Sequence, residues 1–280
     1  MKKVIFLILF FLGSTCVYGE GYKIEEIEFV SHTERLSGSI VFPKSDEIHS
    51  AVVFIHGSGK QERNMHWAQR FASEGIAALV YDKRGVGRSG GNYEGNQNVS
   101  GKNISLLADD SIAALNVLRE HPKTKTLPIG LTGISQAGWI VPLAAERRKV
   151  VDFMVLWSGP VCKVSEEDIF SKYTSDLDGK RIPSYEEALK SRKVKYIWPG
   201  FLGKDTDPSE SLAKLKIPGI WVFGGNDGSV PVDLSIRRLR KLIDDGHEYE
   251  YVLFSNLGHN NMTETFSTVA DWIKRFAKVK

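Results

Sequence analysis

Leu131-Thr132-Gly133-Ile134-Ser135-Gln136-Ala137-Gly138-Trp139 is the stretch whose reading decides the fold. An apolar run enters it, a turn of small residues follows, and a helical pattern leaves it. A strand that reverses directly into a helix forces the residue at the tip into a strained backbone. The positions two before and two after must then be small for the turn to close. Gly133 and Ala137 hold those positions around Ser135. The result is the G-x-S-x-G pattern of a nucleophile elbow, with Ala137 in place of the second glycine. Five residues of this kind arise easily by chance, so the pattern carries weight only if the rest of the chain supplies what Ser135 would need.

Working outward, the elbow strand and helix occupy 127–147. The helix before them carries Ile104, Leu107, Ala108, Ile112, Leu115 and Leu118 at helical spacing, with Asn103 as its expected cap and His121-Pro122 as its end. Residues 50–55 and 76–81 are continuous apolar runs, as expected of strands buried on both faces, with a helix at 65–74 between them that Gly75 stops. Residues 22–30 and 36–42 alternate and predict a hairpin at the edge of a sheet. Beyond the elbow, strands are expected at 152–157, 218–223 and 249–254, and helices at 233–244 and 263–277. The stretch 161–213 breaks the series with mixed charges and aromatics, which suits short helices and no strands.

Strands alternating with helices predict an α/β fold: a mostly parallel central sheet with helices on both faces. Ligands bind such sheets at the carboxyl ends of the strands. His56-Gly57-Ser58-Gly59, the turn at Ser135, the turn at Asp227 and the loop at His259 each follow a strand, so all four should gather on one edge. The segment 161–213 would lie over that edge as a cap.

With these segments in place, the chain resembles the α/β-hydrolase superfamily, and within it the branch of serine aminopeptidase-like and dienelactone-hydrolase-like esterases. The likeness rests on His56-Gly57-Ser58-Gly59, Asp82-Lys83-Arg84-Gly85-Val86-Gly87-Arg88-Ser89, Gly133 to Gly138, Asp227 and Gly258-His259. It spans nearly all of 22–280, least in the cap, and the order nucleophile, acid, histidine is the family's own. The resemblance implies a catalytic set of Ser135, Asp227 and His259, each with a physical reason. A serine hydroxyl needs a base to take its proton as it attacks. His259 could accept that proton and return it to the leaving group. Asp227 would hold the imidazole in the correct tautomer and stabilise its cation. The resemblance further implies an oxyanion hole built from the backbone N–H groups of Ser58 and Gln136.

Each residue has a structural rival. Asp233 competes with Asp227 but sits where a helix opens. Of the seven histidines, His259 alone follows the last strand next to glycine, whereas His56 is expected to shape the oxyanion loop rather than act as a base. Asp82 and Arg84 read as a polar network holding a tight turn, and Trp139, Trp157 and Trp198 as packing residues of core or cap. Cys162 reads as a small buried apolar residue, not a nucleophile, because no small-residue turn presents it.

The N-terminus differs from the rest. Lys2 and Lys3 precede the apolar run Val4 to Leu12, and small residues lead to Val17-Tyr18-Gly19. That is the pattern of a signal peptide over residues 1–19, cleaved before Glu20, leaving one hydrolase domain over 20–280. An uncleaved anchor or a lipid on Cys16 are the alternatives, although the run is short for a membrane span and Gly13-Ser14-Thr15 lacks an apolar residue three before the cysteine. The expected location is therefore outside the cell or in the periplasm, with no stable membrane span after cleavage. The 280 residues are 42% hydrophobic and 25% charged with a net charge of +3, a mixed surface without a nucleic-acid footprint. No metal-type cysteine cluster or His-x-x-x-His pair occurs, and Gly85-Val86-Gly87 lacks the remainder of a dinucleotide fingerprint, so neither a cofactor nor a metal is expected.

The leading expectation is hydrolysis of a small carboxylic ester through an acyl-serine intermediate, with a small-molecule ester or acyl compound as partner. An aminopeptidase would need a carboxylate for the substrate ammonium, and Glu166, Glu167 and Asp168 are candidates. A thioesterase or acyltransferase would use the same acyl-enzyme. A non-catalytic binding module on the same fold is the alternative of a different class.

Overall fold

The computed structural model describes residues 16–19, 22–45, 47–95, 98–174 and 181–278. Most of the expected leader lies outside them. Nine strands form one sheet: β1 (Cys16–Gly19), β2 (Tyr22–Ser31), β3 (Glu34–Pro43), β4 (Ser50–Ile55), β5 (Ile76–Tyr81), β6 (Ile129–Ile134), β7 (Phe153–Trp157), β8 (Gly219–Gly224) and β9 (Tyr249–Phe254). Their spatial order is β1-β2-β3-β5-β4-β6-β7-β8-β9. The pairs β1/β2, β2/β3 and β3/β5 are antiparallel, and every pair from β5/β4 to β8/β9 is parallel. The chain moves outward from β4 to β5 and then crosses back to β6. The chain switches direction between β4 and β6, the place where sheets of this kind bind ligands at the carboxyl ends of the strands, and His56 and Ser135 follow these two strands.

The apolar runs form central strands because both of their faces are covered. Along β4, Ala51, Val53 and Ile55 join one hydrophobic cluster and Val52 and Phe54 the other. The first cluster takes side chains from α2 (Gly101–Glu120), α3 (Ala137–Arg147) and α7 (Val232–Asp244), such as Leu115, Ala144 and Leu239. The second takes Phe71 from α1 (Met65–Ser73), and Phe266 and Ile273 from α8 (Met262–Lys278). Expected and observed elements agree within a residue or two at most boundaries. One cap differs: Ser100, not Asn103, closes the start of α2, its hydroxyl accepting the Asn103 N–H at 3.1 Å. The helix begins two residues before Asn103, and a serine hydroxyl suits the N-cap position.

Between β7 and β8 the chain builds α4 (Val164–Thr174), α5 (Tyr185–Ser191), a 3-10 turn (Gly200–Leu202) and α6 (Pro208–Leu212), with no strand among the described residues. Cys162, Ile169, Phe170, Tyr185 and Ala188 form a separate small core there with Leu234 of α7. Asp233 opens α7 and accepts the Tyr185 N–H on both carboxylate oxygens at 3.2 Å, tying α5 to the body. Among the described residues no helix is long and apolar enough to cross a membrane.

Candidate active site

Ser135 has φ of 57°, a left-handed conformation that a residue with a Cβ adopts only when its surroundings enforce it. The enforcement is visible. The Ser135 N–H donates to the Trp157 carbonyl at 3.0 Å, and the Ser135 carbonyl accepts the Gly138 N–H at 2.8 Å. A methyl group on Gly133 would lie 2.6 Å from the Ala137 Cβ and closer still to the Ile55 carbonyl oxygen. The turn therefore has room for one methyl between the two positions, and Ala137 already supplies it.

Asp227 follows β8 and is buried. One carboxylate oxygen accepts the N–H groups of Ser229 and Val230 at 2.8 and 2.9 Å, and the other receives His259 Nδ1 at 2.8 Å. The two loops are stitched together by the Asn226 N–H donating to the Leu257 carbonyl at 2.8 Å. A second brace comes from Ser158, a buried non-glycine residue with φ of 45°. Its hydroxyl donates to the His259 carbonyl at 2.8 Å and accepts Asn261 Nδ2 at 3.1 Å. Ser135 and His259 are thus held by consecutive residues, Trp157 and Ser158. Among the described residues, no hydrogen bond within 3.5 Å joins the Ser135 hydroxyl to His259.

Among the described residues, the N–H groups of Ser58 and Gln136 donate to no other group. The Ser58 loop is held from beneath. Lys83 Nζ donates to the carbonyls of Gly57 at 2.9 Å and Gly59 at 3.2 Å, and to Gln136 Oε1 at 2.8 Å. Gln136 Nε2 in turn donates to the backbone and side-chain oxygens of Asn98 at 2.8 and 3.1 Å. Burial, helped by the Lys83 charge, lowers His56 to about 3, so it is a neutral packing partner against Tyr81 rather than a base.

The tight turn after β5 is a network. Burial alone would raise the Asp82 carboxyl, but the Arg63 guanidinium and the backbone N–H groups of Arg63 and Arg88 hold it down at about 2. Arg84 forms a buried ion pair with Asp110. Trp139 and Trp157 are core, the former donating from Nε1 to the Cys162 carbonyl at 2.8 Å, whereas Trp198 is half-buried in the cap. Burial pushes the Cys162 thiol well up, in keeping with an inert packing residue. Burial also raises the half-buried Glu167 of α4 to about 7, with Asp168, His259 and Asp227 among the charges acting on it. No group of three metal-ligating side chains occurs among the described residues. Sequence reasoning gave no role to Lys83, Ser158, Asn261 or the Gln136 side chain, although Lys83 and Gln136 stand in stretches that carry the likeness and Ser158 opens Ser158-Gly159-Pro160 at a strand end.

A central, mostly parallel sheet with an elbow serine after β6 and a hydrogen-bonded Asp–His pair after β8 and β9 defines an α/β hydrolase. Residues 46–199, more than half of the chain, match the family model described as serine aminopeptidase, S33, and the chain belongs to that family. It is 26% identical over 268 residues to esterase EstD of Thermotoga maritima, a match covering 86% of this chain and 61% of EstD. It is 23% identical over 225 residues to YtmA of Bacillus subtilis, described as a peptidase, covering 79% of each. The esterase Pf2001 of Pyrococcus furiosus has the same fold, with a TM-score of 0.67 at 18% identity over 95% of this chain and 97% of that one.

Proposed function

We propose that this chain is a serine hydrolase that cleaves small carboxylic esters. Ser135 Oγ attacks the ester carbonyl carbon while His259 Nε2 takes its proton. The resulting oxyanion is held by the Ser58 and Gln136 N–H groups. Collapse expels the alcohol, which takes the proton from His259, and leaves the acid esterified to Ser135. Water then repeats the sequence and releases the acid. The observation that carries this reading is the 2.8 Å bond from His259 Nδ1 to Asp227, made on the same sheet edge as the strained Ser135. It leaves Nε2 as the free ring nitrogen, and such catalytic bonds commonly tighten only around substrate. The protein should therefore react with a fluorophosphonate probe and turn over p-nitrophenyl esters. Labelling of Ser135→Ala as strong as wild type, or unchanged turnover in His259→Ala, would refute the assignment.

A second reading, aminopeptidase action, draws on Glu167. This carboxyl lies within the electrostatic reach of His259 and Asp227 and is suited to an ammonium group in a partly desolvated site. Release of arylamine from aminoacyl anilides, lost in Glu167→Gln while ester turnover persists, would favour it. We further propose export through the leader at 1–19. Cleavage after Gly19 would remove β1 and make β2 the sheet edge. Sequencing the N-terminus of the protein from its host tests this: a chain still beginning at Met1 would count against cleavage.

A further inference from the structure

We propose that Lys83 is a positioning residue that sets both donors of the oxyanion hole, a role that rests on the ester-hydrolase reading above. Its ammonium is buried, 2% exposed, and spends its three N–H groups on three neutral oxygens: the carbonyls of Gly57 and Gly59 and the side chain of Gln136. A buried ammonium gains little stability from such partners, because no carboxylate charge offsets its desolvation. Packing would be served better by an apolar side chain of the same length. What the ammonium does achieve is geometric.

The Gly57 carbonyl and the Ser58 N–H belong to one planar trans peptide and point in opposite directions. Drawing the carbonyl toward Lys83 therefore fixes the direction of the Ser58 N–H, away from Lys83. The bond also polarises that peptide, which strengthens its N–H as a donor. Gly59 anchors the far side of the same residue. Gln136 carries the second donor on its backbone, and its side chain is held between Lys83 and Asn98. One ammonium thus sets the spacing between a loop after β4 and the elbow after β6, where the strand order changes direction.

This arrangement depends on the charge state. A neutral amine has two N–H groups and a lone pair, so one of the three oxygens would lose its donor and face a lone pair instead. Burial lowers Lys83 to about 8, which puts that change within reach of an assay. The charged and titratable groups facing it are few. His56 is neutral above about 3, and Asp82 stays ionised down to about 2 and turns to Arg63. Tyr93 places its ring 5.9 Å from Lys83 Nζ and 5.7 Å from Lys60 Nζ.

The test compares kcat and KM for p-nitrophenyl acetate from pH 6 to 10 in wild type, Lys83→Met, Lys83→Arg and Ser135→Ala, with spontaneous hydrolysis subtracted and thermal melts as a folding control. Lys83→Met should lower kcat about tenfold to a hundredfold, less than the loss of a whole oxyanion donor, with KM changed less than threefold. Wild-type kcat should fall as pH rises through about 8, and that limb should be absent in Lys83→Met and in Lys83→Arg, whose guanidinium does not titrate there. A wild-type kcat flat through pH 9, or a folded Lys83→Met with the alkaline limb intact, overturns the proposal even if one variant fails to fold. Unchanged turnover in Ser135→Ala overturns the ester-hydrolase reading itself, and the role of Lys83 with it.

Discussion

Replacing Asp227 by asparagine tests the proposed catalytic use of this side chain apart from its architectural one. Its first oxygen accepts two backbone N–H groups, and its second faces His259 Nδ1. In Asp227→Asn the amide must keep its oxygen toward Ser229 and Val230, because turning the NH2 group there would oppose donor to donor. The NH2 group therefore faces His259 and donates to Nδ1. The imidazole is driven into the tautomer with its proton on Nε2, where it cannot accept the proton of Ser135. The expected loss is about 10⁴ in kcat, about 5.4 kcal/mol of transition-state stabilisation. Stability should fall by only about 1–2 kcal/mol, since two charge-assisted bonds become neutral ones. Asp227→Ala should instead leave both backbone N–H groups without partners and lose about 2–6 kcal/mol of stability along with the activity. Steady-state hydrolysis of a p-nitrophenyl ester together with urea denaturation measures both quantities. An Asp227→Asn variant with more than a tenth of wild-type kcat would show that His259 does not depend on Asp227 for its tautomer.

Three further outcomes are expected. Gly133→Ala should destabilise by at least about 2–3 kcal/mol, read as a lower urea midpoint, because the new methyl meets the Ile55 carbonyl and the Ala137 Cβ. Asp110→Ala should cost about 3–5 kcal/mol by leaving the Arg84 guanidinium buried without its carboxylate, while the double change Arg84→Met with Asp110→Leu should recover most of that loss, again by urea denaturation. Asp82 titrates at about 2 when folded against an unfolded value near 3.8. The folded protein holds this proton less tightly, so the contribution of Asp82 is complete above about pH 4 and is lost as pH falls through about 2. Thermal melts between pH 4 and 2 should fall less steeply in Asp82→Asn than in wild type.

The parts of this molecule that repeat with a period were legible in the chain. Ala51 to Ile55 could be read as a strand buried on both faces, and the spacing of Ile104 to Leu118 as a helix, because burial selects residue type position by position. The Ser135 turn could be read because it demands small residues at fixed offsets. Asp227 and His259 could be placed by their position after strands, which fixes the sheet edge but not the distance between them. Lys83 could not be read this way: its partners are two carbonyls and an amide, and carbonyls belong to every residue and leave no signature in the sequence. Ser158 was opaque for a related reason. Its left-handed backbone is enforced by residues more than a hundred positions away in the chain, through the His259 carbonyl and Asn261. The start of α2 was misplaced because Ser100 and Asn103 are both competent caps, and local sequence does not rank them.

The segment 161–213 holds a small hydrophobic centre shared with Leu234 of α7, while its Val161, Val164 and Leu212 join the cluster of the body instead. Anchored in both places, the segment passes a change at Val164 or Leu212 on to the body, whereas a change at Phe170 or Ala188 is felt first within its own small centre. Such a division gives one segment positions that vary with little effect on the sheet and others that do not.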